Sequence, residues 1–224
     1  MATLPRKPLL MICDVQERFR SAIYGFDQMK NTICKMVEVA RIDTADPNVD
    51  HRAESQRQVS ICIARLRINH ADVKVELALG ATIPEIANLL DSSRHLGTYP
   101  KTRFSMVNED TKSVLDQGAS DTFIVTGIES HVCVLQTTLD LLRLPSEPDV
   151  YVLSDAISSC NKPEIAIALR RMELAGAKVT TSESMIFELL GDANDVNFKA
   201  AAGLIKQEKT KTADALRTLC VEHV

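Results

Sequence analysis

Short continuous apolar runs alternate along this chain with segments whose apolar residues recur every three or four positions. That alternation is the signature of buried parallel strands joined by amphipathic helices. Leu9-Leu10-Met11-Ile12-Cys13 is the first run, entered from Pro8 and ended by Asp14. Ile33, Met36, Val37 and Ala40 then recur at helical spacing behind Asp27, the expected N-cap, and predict a helix over 28–41. The rhythm lapses over 42–77. Residues 43–58 carry no apolar stripe at either period and read as a solvated loop, whereas Val59-Ser60-Ile61-Cys62-Ile63-Ala64 and Val73-Lys74-Val75-Glu76-Leu77 are rival candidates for a second strand. From Thr82 the pattern steadies: a short helix at 84–91 opened by Pro84, a polar loop at 97–104, and a helix at 109–117 stopped by Gly118. A strand at 122–128 follows, then a helix carrying Cys133 as far as Arg143 and a break at Pro145. Val150-Tyr151-Val152-Leu153 is a strand ending at Asp155, Pro163 to Ala175 a helix, and Lys178-Val179-Thr180-Thr181 the last strand. Helices at 183–190, 195–207 and 212–222 complete the chain. The predicted class is α/β, a doubly wound, Rossmann-like, mostly parallel sheet with helices on both faces.

Composition supports one domain over residues 1–224, with an irregular segment at 42–77, because 45% hydrophobic content can fill a sizeable core. Twenty-six basic against thirty acidic residues leave a net charge of −4 with no dense Lys/Arg block, which argues against nucleic acid or an anionic membrane as partner. No stretch has the length of a membrane span. The six cysteines are scattered without C-x-x-C spacing, and no apolar leader precedes the first strand. Reduced thiols in an intracellular compartment, the cytoplasm first, are expected.

Sheets of this kind bind ligands beyond the carboxyl ends of their strands, where both Asp14 and Cys133 fall. In Ser130-His131-Val132-Cys133-Val134 the cysteine occupies the first turn of a helix just beyond a strand. Unpaired N–H groups and the positive end of the helix dipole favour a thiolate there. The alternative is a small buried core residue. Lys101, in the polar loop before the middle helix, is the third reactive group that one crevice could collect.

The fragments ICDVQERF (12–19), YPKTRFSM (99–106), TGIESHVCVLQT (126–137), SDAISS (154–159) and GAKVTTSESMIFELL (176–190) resemble the isochorismatase-like cysteine hydrolases, and most of all their isochorismatase domain-containing branch. The resemblance implies an Asp-Lys-Cys triad on Asp14, Lys101 and Cys133. Lys101 would stabilise the thiolate and Asp14 would act as general base, then return the proton to the leaving group. It further implies cleavage of an amide-type C–N bond through a thioester. A non-proline cis peptide is implied within Gly127-Ile128-Glu129, turning N–H groups inward as an oxyanion hole beside the Cys133 N–H. Metal-binding relatives use an Asp-x-His pair, whereas Asp50 and His51 are adjacent here. No metal and no cofactor are therefore expected, and Asp43, Asp46, Asp50 and His51 read as solvated.

Phe19, Tyr99, Phe104, His131 and Asp155, with Ser158 beside the last, are candidates for the pocket wall. Cys13 neighbours Asp14 on a strand, so its side chain is expected on the opposite face, in the core. Cys160 is expected to be structural. A small-molecule substrate and a second copy of the chain are the expected partners. The rival reading, encouraged by the disturbed 42–77 segment, is a catalytically silent scaffold of the same fold that works by oligomerisation or partner binding.

Overall fold

In the computed structural model, residues 8–42, 59–66, 79–90, 94–116 and 120–220 are described. The strands are β1 (Pro8–Cys13), β2 (Ser60–Leu66), β3 (His95–Lys101), β4 (Thr122–Ile128), β5 (Asp149–Ser158) and β6 (Lys178–Thr180). The helices are α1 (Phe26–Ile42), α2 (Pro84–Ala87), α3 (Glu109–Asp116), α4 (Leu135–Leu141), α5 (Lys162–Leu174), α6 (Ser182–Leu190) and α7 (Phe198–Leu219). All six strands run parallel in the order β3-β2-β1-β4-β5-β6.

Every residue of β1 and of β4 is buried, as strands covered on both faces must be. Leu10 stands opposite Ile61 on one side and Ile124 on the other, so β1 is the spine of the sheet. The strand order reverses beside it. The chain builds β2 and β3 outward on one flank, then returns to add β4, β5 and β6 on the other. Loops leaving β1 and β4 consequently diverge at their carboxyl ends, where sheets of this kind place their ligand crevice. Gly127 lets the two strands close up there: it has φ +103°, and an added Cβ would lie 2.7 Å from the Cys13 nitrogen and nearer still to its carbonyl oxygen. Helices α1 and α7 pack on each other and on β5, while α4 and α5 pack together beside β5.

The pattern of the central strands carries over, and five details are settled or changed. Of the two candidates for a second strand, the first forms β2; residues 73–77 and the 43–58 loop lie outside the described residues. The 97–104 loop is in part β3, an edge strand that is mostly half-buried, so it lacks an apolar signature, and that tolerates Pro100. Helix α2 is only one turn long. The two terminal helices are one, α7, because Gln207, Lys209, Thr210 and Lys211 lie on its exposed side and are good or adequate helix formers. Asp27 is in the first turn of α1 rather than at its cap, where it meets Lys30 at 3.0 Å. Among the described residues, no helix is long and apolar enough to cross a membrane.

With β2 hydrogen-bonded on both sides, amide exchange of residues 61–66 is expected to be as slow as that of 9–13 and 122–128. Exchange of 61–66 at loop rates would show that β1 lacks this neighbour in solution.

Candidate active site

The cluster at the crevice is assembled from three strand ends. Asp14 directly follows β1, Lys101 is the last residue of β3, and Cys133 lies in a π-helical turn, Ser130–Val134, directly after β4. Strand β3 stands two places from β1, a gap of roughly 9–10 Å that the Lys101 side chain and the Asp14 carboxylate close between them. The Lys101 Nζ donates to Asp14 Oδ2 at 2.7 Å and to the Phe104 carbonyl at 2.8 Å. Both side chains of the ion pair are cut off from solvent, at 0% and 2% exposure.

Cys133 is buried at the same place, in contact with the Cys13 side chain. The Cys13 thiol also donates weakly to Asp14 Oδ2, at 3.7 Å. This corrects the expectation that Cys13 would point away from Asp14. Strand alternation ends one residue early because Asp14 adopts a left-handed backbone, φ 52°, a conformation that aspartate tolerates better than most residues. Burial, the hydrogen bond with Cys133 and the charge of Asp14 all push the Cys13 thiol well above its ordinary pKa, so it stays protonated. For Lys101, burial pulls the ammonium down. The flanking Cys13 and Cys133 sulfurs and Asp14, through its charge and its hydrogen bond, outweigh it, so its pKa is raised.

The peptide bond between Ile128 and Glu129 is cis and falls within the segment expected from the resemblance. Glu129 Oε2 accepts from the Cys160 N–H at 2.9 Å, and His131 Nδ1 lies 2.9 Å from Ser159 Oγ. Tyr99 is half-buried, with its hydroxyl on the Leu96 carbonyl at 2.9 Å, and Phe19 packs partly against the core. The Phe104 ring is exposed, so that residue meets the cluster through its carbonyl. Asp155 lies inside β5, which runs on to Ser158, and is fully buried. Its Oδ1 accepts from the Ser182 N–H at 2.8 Å and its Oδ2 from the Ser182 hydroxyl, so both oxygens hold the start of α6. Ser158 donates to the Tyr24 carbonyl.

Two contributors escaped the sequence reading. One is the Phe104 carbonyl. The other is Gln16, which donates to the Gly80 carbonyl at 2.7 Å and bridges to Thr82, clamping residues 79–83 beside the end of β1. Backbone bonds leave no composition signal. For Gln16, its place two residues after Asp14 was the available hint.

An all-parallel sheet of this order, with its polar cluster at the switch point, is a doubly wound α/β fold. The model of the isochorismatase domain matches residues 8–184, and the chain belongs to the isochorismatase family. It is 32% identical over 208 residues to isochorismatase family protein 1B of Dictyostelium discoideum, spanning 92% of this chain and 89% of that protein. Isochorismatase domain-containing protein 2 of Bos taurus is 32% identical over 204 residues, or 91% of this chain and 85% of that one. The structure of MAR1 ribonuclease from Caenorhabditis elegans superposes with a TM-score of 0.75 at 31% identity, covering 92% of this chain and 93% of that chain. The chain thus carries the hydrolase fold of the family.

Replacing Lys101 by methionine strands a buried carboxylate and is expected to cost about 3–5 kcal/mol of stability by urea unfolding. Adding Asp14→Asn should recover part of that loss, because no unpaired charge then remains; an additive double-variant cycle would show the pair to be uncoupled. The sign with pH follows from the raised lysine pKa. The contribution of Lys101 is complete below about 10.4, the ordinary lysine value, and is lost as pH rises through the folded value above it.

Proposed function

We propose that the protein is a metal-independent cysteine hydrolase that cleaves an amide-type C–N bond in a small molecule through Cys133, Asp14 and Lys101. The observation that carries this reading is the Asp14–Lys101 ion pair, closed off from water, with the Cys133 side chain in the same cluster. Asp14 takes the Cys133 proton, and Lys101 stabilises the sulfur anion as it attacks the carbonyl carbon. The carbonyl oxygen gains negative charge, which the Cys133 N–H and neighbouring N–H groups of the Gly127-Ile128-Glu129 segment balance by hydrogen bonding. The C–N bond breaks, and the nitrogen leaves with the proton that Asp14 held. Water then gives a proton to Asp14 and attacks the thioester, releasing the acid, and the sulfur recovers its proton. His131, Tyr99 and Phe19 serve as pocket walls in this reading.

The nematode neighbour is described as a ribonuclease. Transfer of that substrate to this chain is disfavoured by its net charge of −4 and by the neutralisation of Lys101 through Asp14, which removes the cation that would meet a phosphate. A second copy of the chain is proposed as partner on a narrower ground. Ile167 and Leu174, one heptad apart on α5, are 64% and 73% exposed.

The test is alkylation of the intact protein by iodoacetamide across pH 5–9, read peptide by peptide, alongside hydrolysis of a panel of small amides. Cys133 is expected to react faster than Cys220, whose thiol burial holds up. Cys133→Ala should lose at least about a thousandfold in kcat at a stability cost of no more than about 2 kcal/mol. Equal reactivity of Cys133 and Cys220, with no turnover of any amide, would select the silent scaffold instead.

A further inference from the structure

A second group of reactive side chains stands at the same edge of the sheet, and none of them takes or gives a proton in the proposed hydrolysis. The ligand-capable atoms of Glu129, His131 and Cys160 all lie within 4.8 Å of one another. Glu129 leaves the end of β4, His131 sits in the π-helical turn behind it, and Cys160 follows the end of β5. Because β4 and β5 are neighbours, the sheet itself brings together residues from both.

Two of the three side chains are already oriented. The Glu129 carboxylate is anchored through Oε2 by the Cys160 N–H at 2.9 Å, which leaves its other oxygen to a ligand. The His131 ring is held through Nδ1, 2.9 Å from Ser159 Oγ. When Nδ1–H donates to that hydroxyl, Nε2 presents a bare lone pair, the arrangement that supports metal-bound histidines. The Cys160 thiol is held above its ordinary pKa, first by its hydrogen bond to Glu129. Without a cation, that proton lies between two potential ligands.

We propose that Glu129, His131 and Cys160 form a binding site for a divalent cation of the zinc class, each supplying one bond. The donor set selects the class. Thiolate, imidazole and carboxylate together suit zinc and its neighbours, whereas calcium and magnesium take oxygen almost alone. Tetrahedral bonds of about 2.0–2.3 Å put donor atoms roughly 3.3–3.8 Å apart, so the three side chains must close by about 1 Å around the ion. Cys160 is exposed and the other two are half-buried, which leaves room for that adjustment. Three protein bonds leave a fourth position for water or a ligand oxygen. Binding converts the Cys160 thiol to a metal-bound thiolate and releases one proton to solvent, so affinity rises with pH. The absence of Asp-x-His spacing does not bear on this site, whose third ligand comes from the next strand.

The full-length protein, stripped by chelator and kept reduced with a phosphine, is titrated with cobalt(II) alone. A thiolate-to-cobalt charge-transfer band should grow to saturation at one equivalent and disappear when zinc is added. Cys160→Ser should abolish the band, His131→Ala and Glu129→Gln should weaken cobalt binding at least about tenfold, and Cys133→Ser should leave the band unchanged. No band in the parent protein, or a band that survives Cys160→Ser or vanishes in Cys133→Ser, overturns the site. The signal is read without substrate, so its failure and a failure of the hydrolase reading are distinct results.

Discussion

Everything at the crevice depends on the ion pair between Lys101 and Asp14. Two charges withdrawn from water cost several kcal/mol each unless their attraction and further hydrogen bonds repay it. Here the partners meet at 2.7 Å, and the Phe104 carbonyl takes a second donor of the ammonium. The pair therefore does structural work before any chemistry: it ties the end of β3 to the end of β1 across β2. It also fixes the electrostatics in which both thiols sit. Cys13 is kept neutral by burial, by its neighbour thiol and by Asp14, so the crevice presents one protonated sulfur beside the Cys133 sulfur.

Topology decides which residues can reach that pair. β1 has β2 on one flank and β4 on the other, and the order reversal leaves the space between the ends of β1 and β4 uncovered by any crossover. Gly127 then sets how close the two strand ends come, since only a residue without a Cβ can lie against the Cys13 backbone. A side chain there would separate Asp14 from the turn that carries Cys133. The cluster is thus specified jointly by a missing Cβ, a left-handed aspartate and a lysine long enough to meet it across β2.

The fold was legible where burial is complete and less so where it is partial. Leu9 to Cys13 and Thr122 to Ile128 announce buried strands because both faces are covered. β3 does not, because an edge strand mixes exposed and buried positions and this one includes Gly97 and Pro100. The polar stretch of α7 misled for the converse reason: a surface helix continues through charged residues as long as Ala201, Leu204, Thr212 and Ala215 keep its other side buried. The site was legible as residue types at strand ends, and the family resemblance selected among them. The convergence itself was not, since Asp14 and Lys101 are 87 positions apart in sequence. Nor was the contact of Cys13 with Asp14, which follows from an Asp14 backbone angle that no alternation pattern encodes.

Two carboxylates near the carboxyl edge of this sheet drew notice by position, Asp14 as candidate base and Asp155 as candidate pocket residue. Their surroundings separate them. Asp155 accepts from the Ser182 N–H and hydroxyl, one to each oxygen, at the start of α6, so proton uptake would break a helix anchor. It is a neutral-donor site whose function is complete without a substrate. Asp14 faces an ammonium instead, and in the proposed hydrolysis, where the carboxylate is neutralised as the sulfur becomes charged, Lys101 would keep the sulfur anion as counter-charge and the Phe104 carbonyl as an acceptor. Catalytic potential at a strand end is therefore set less by the acidic residue than by whether its partner can remain bound when the acid changes charge.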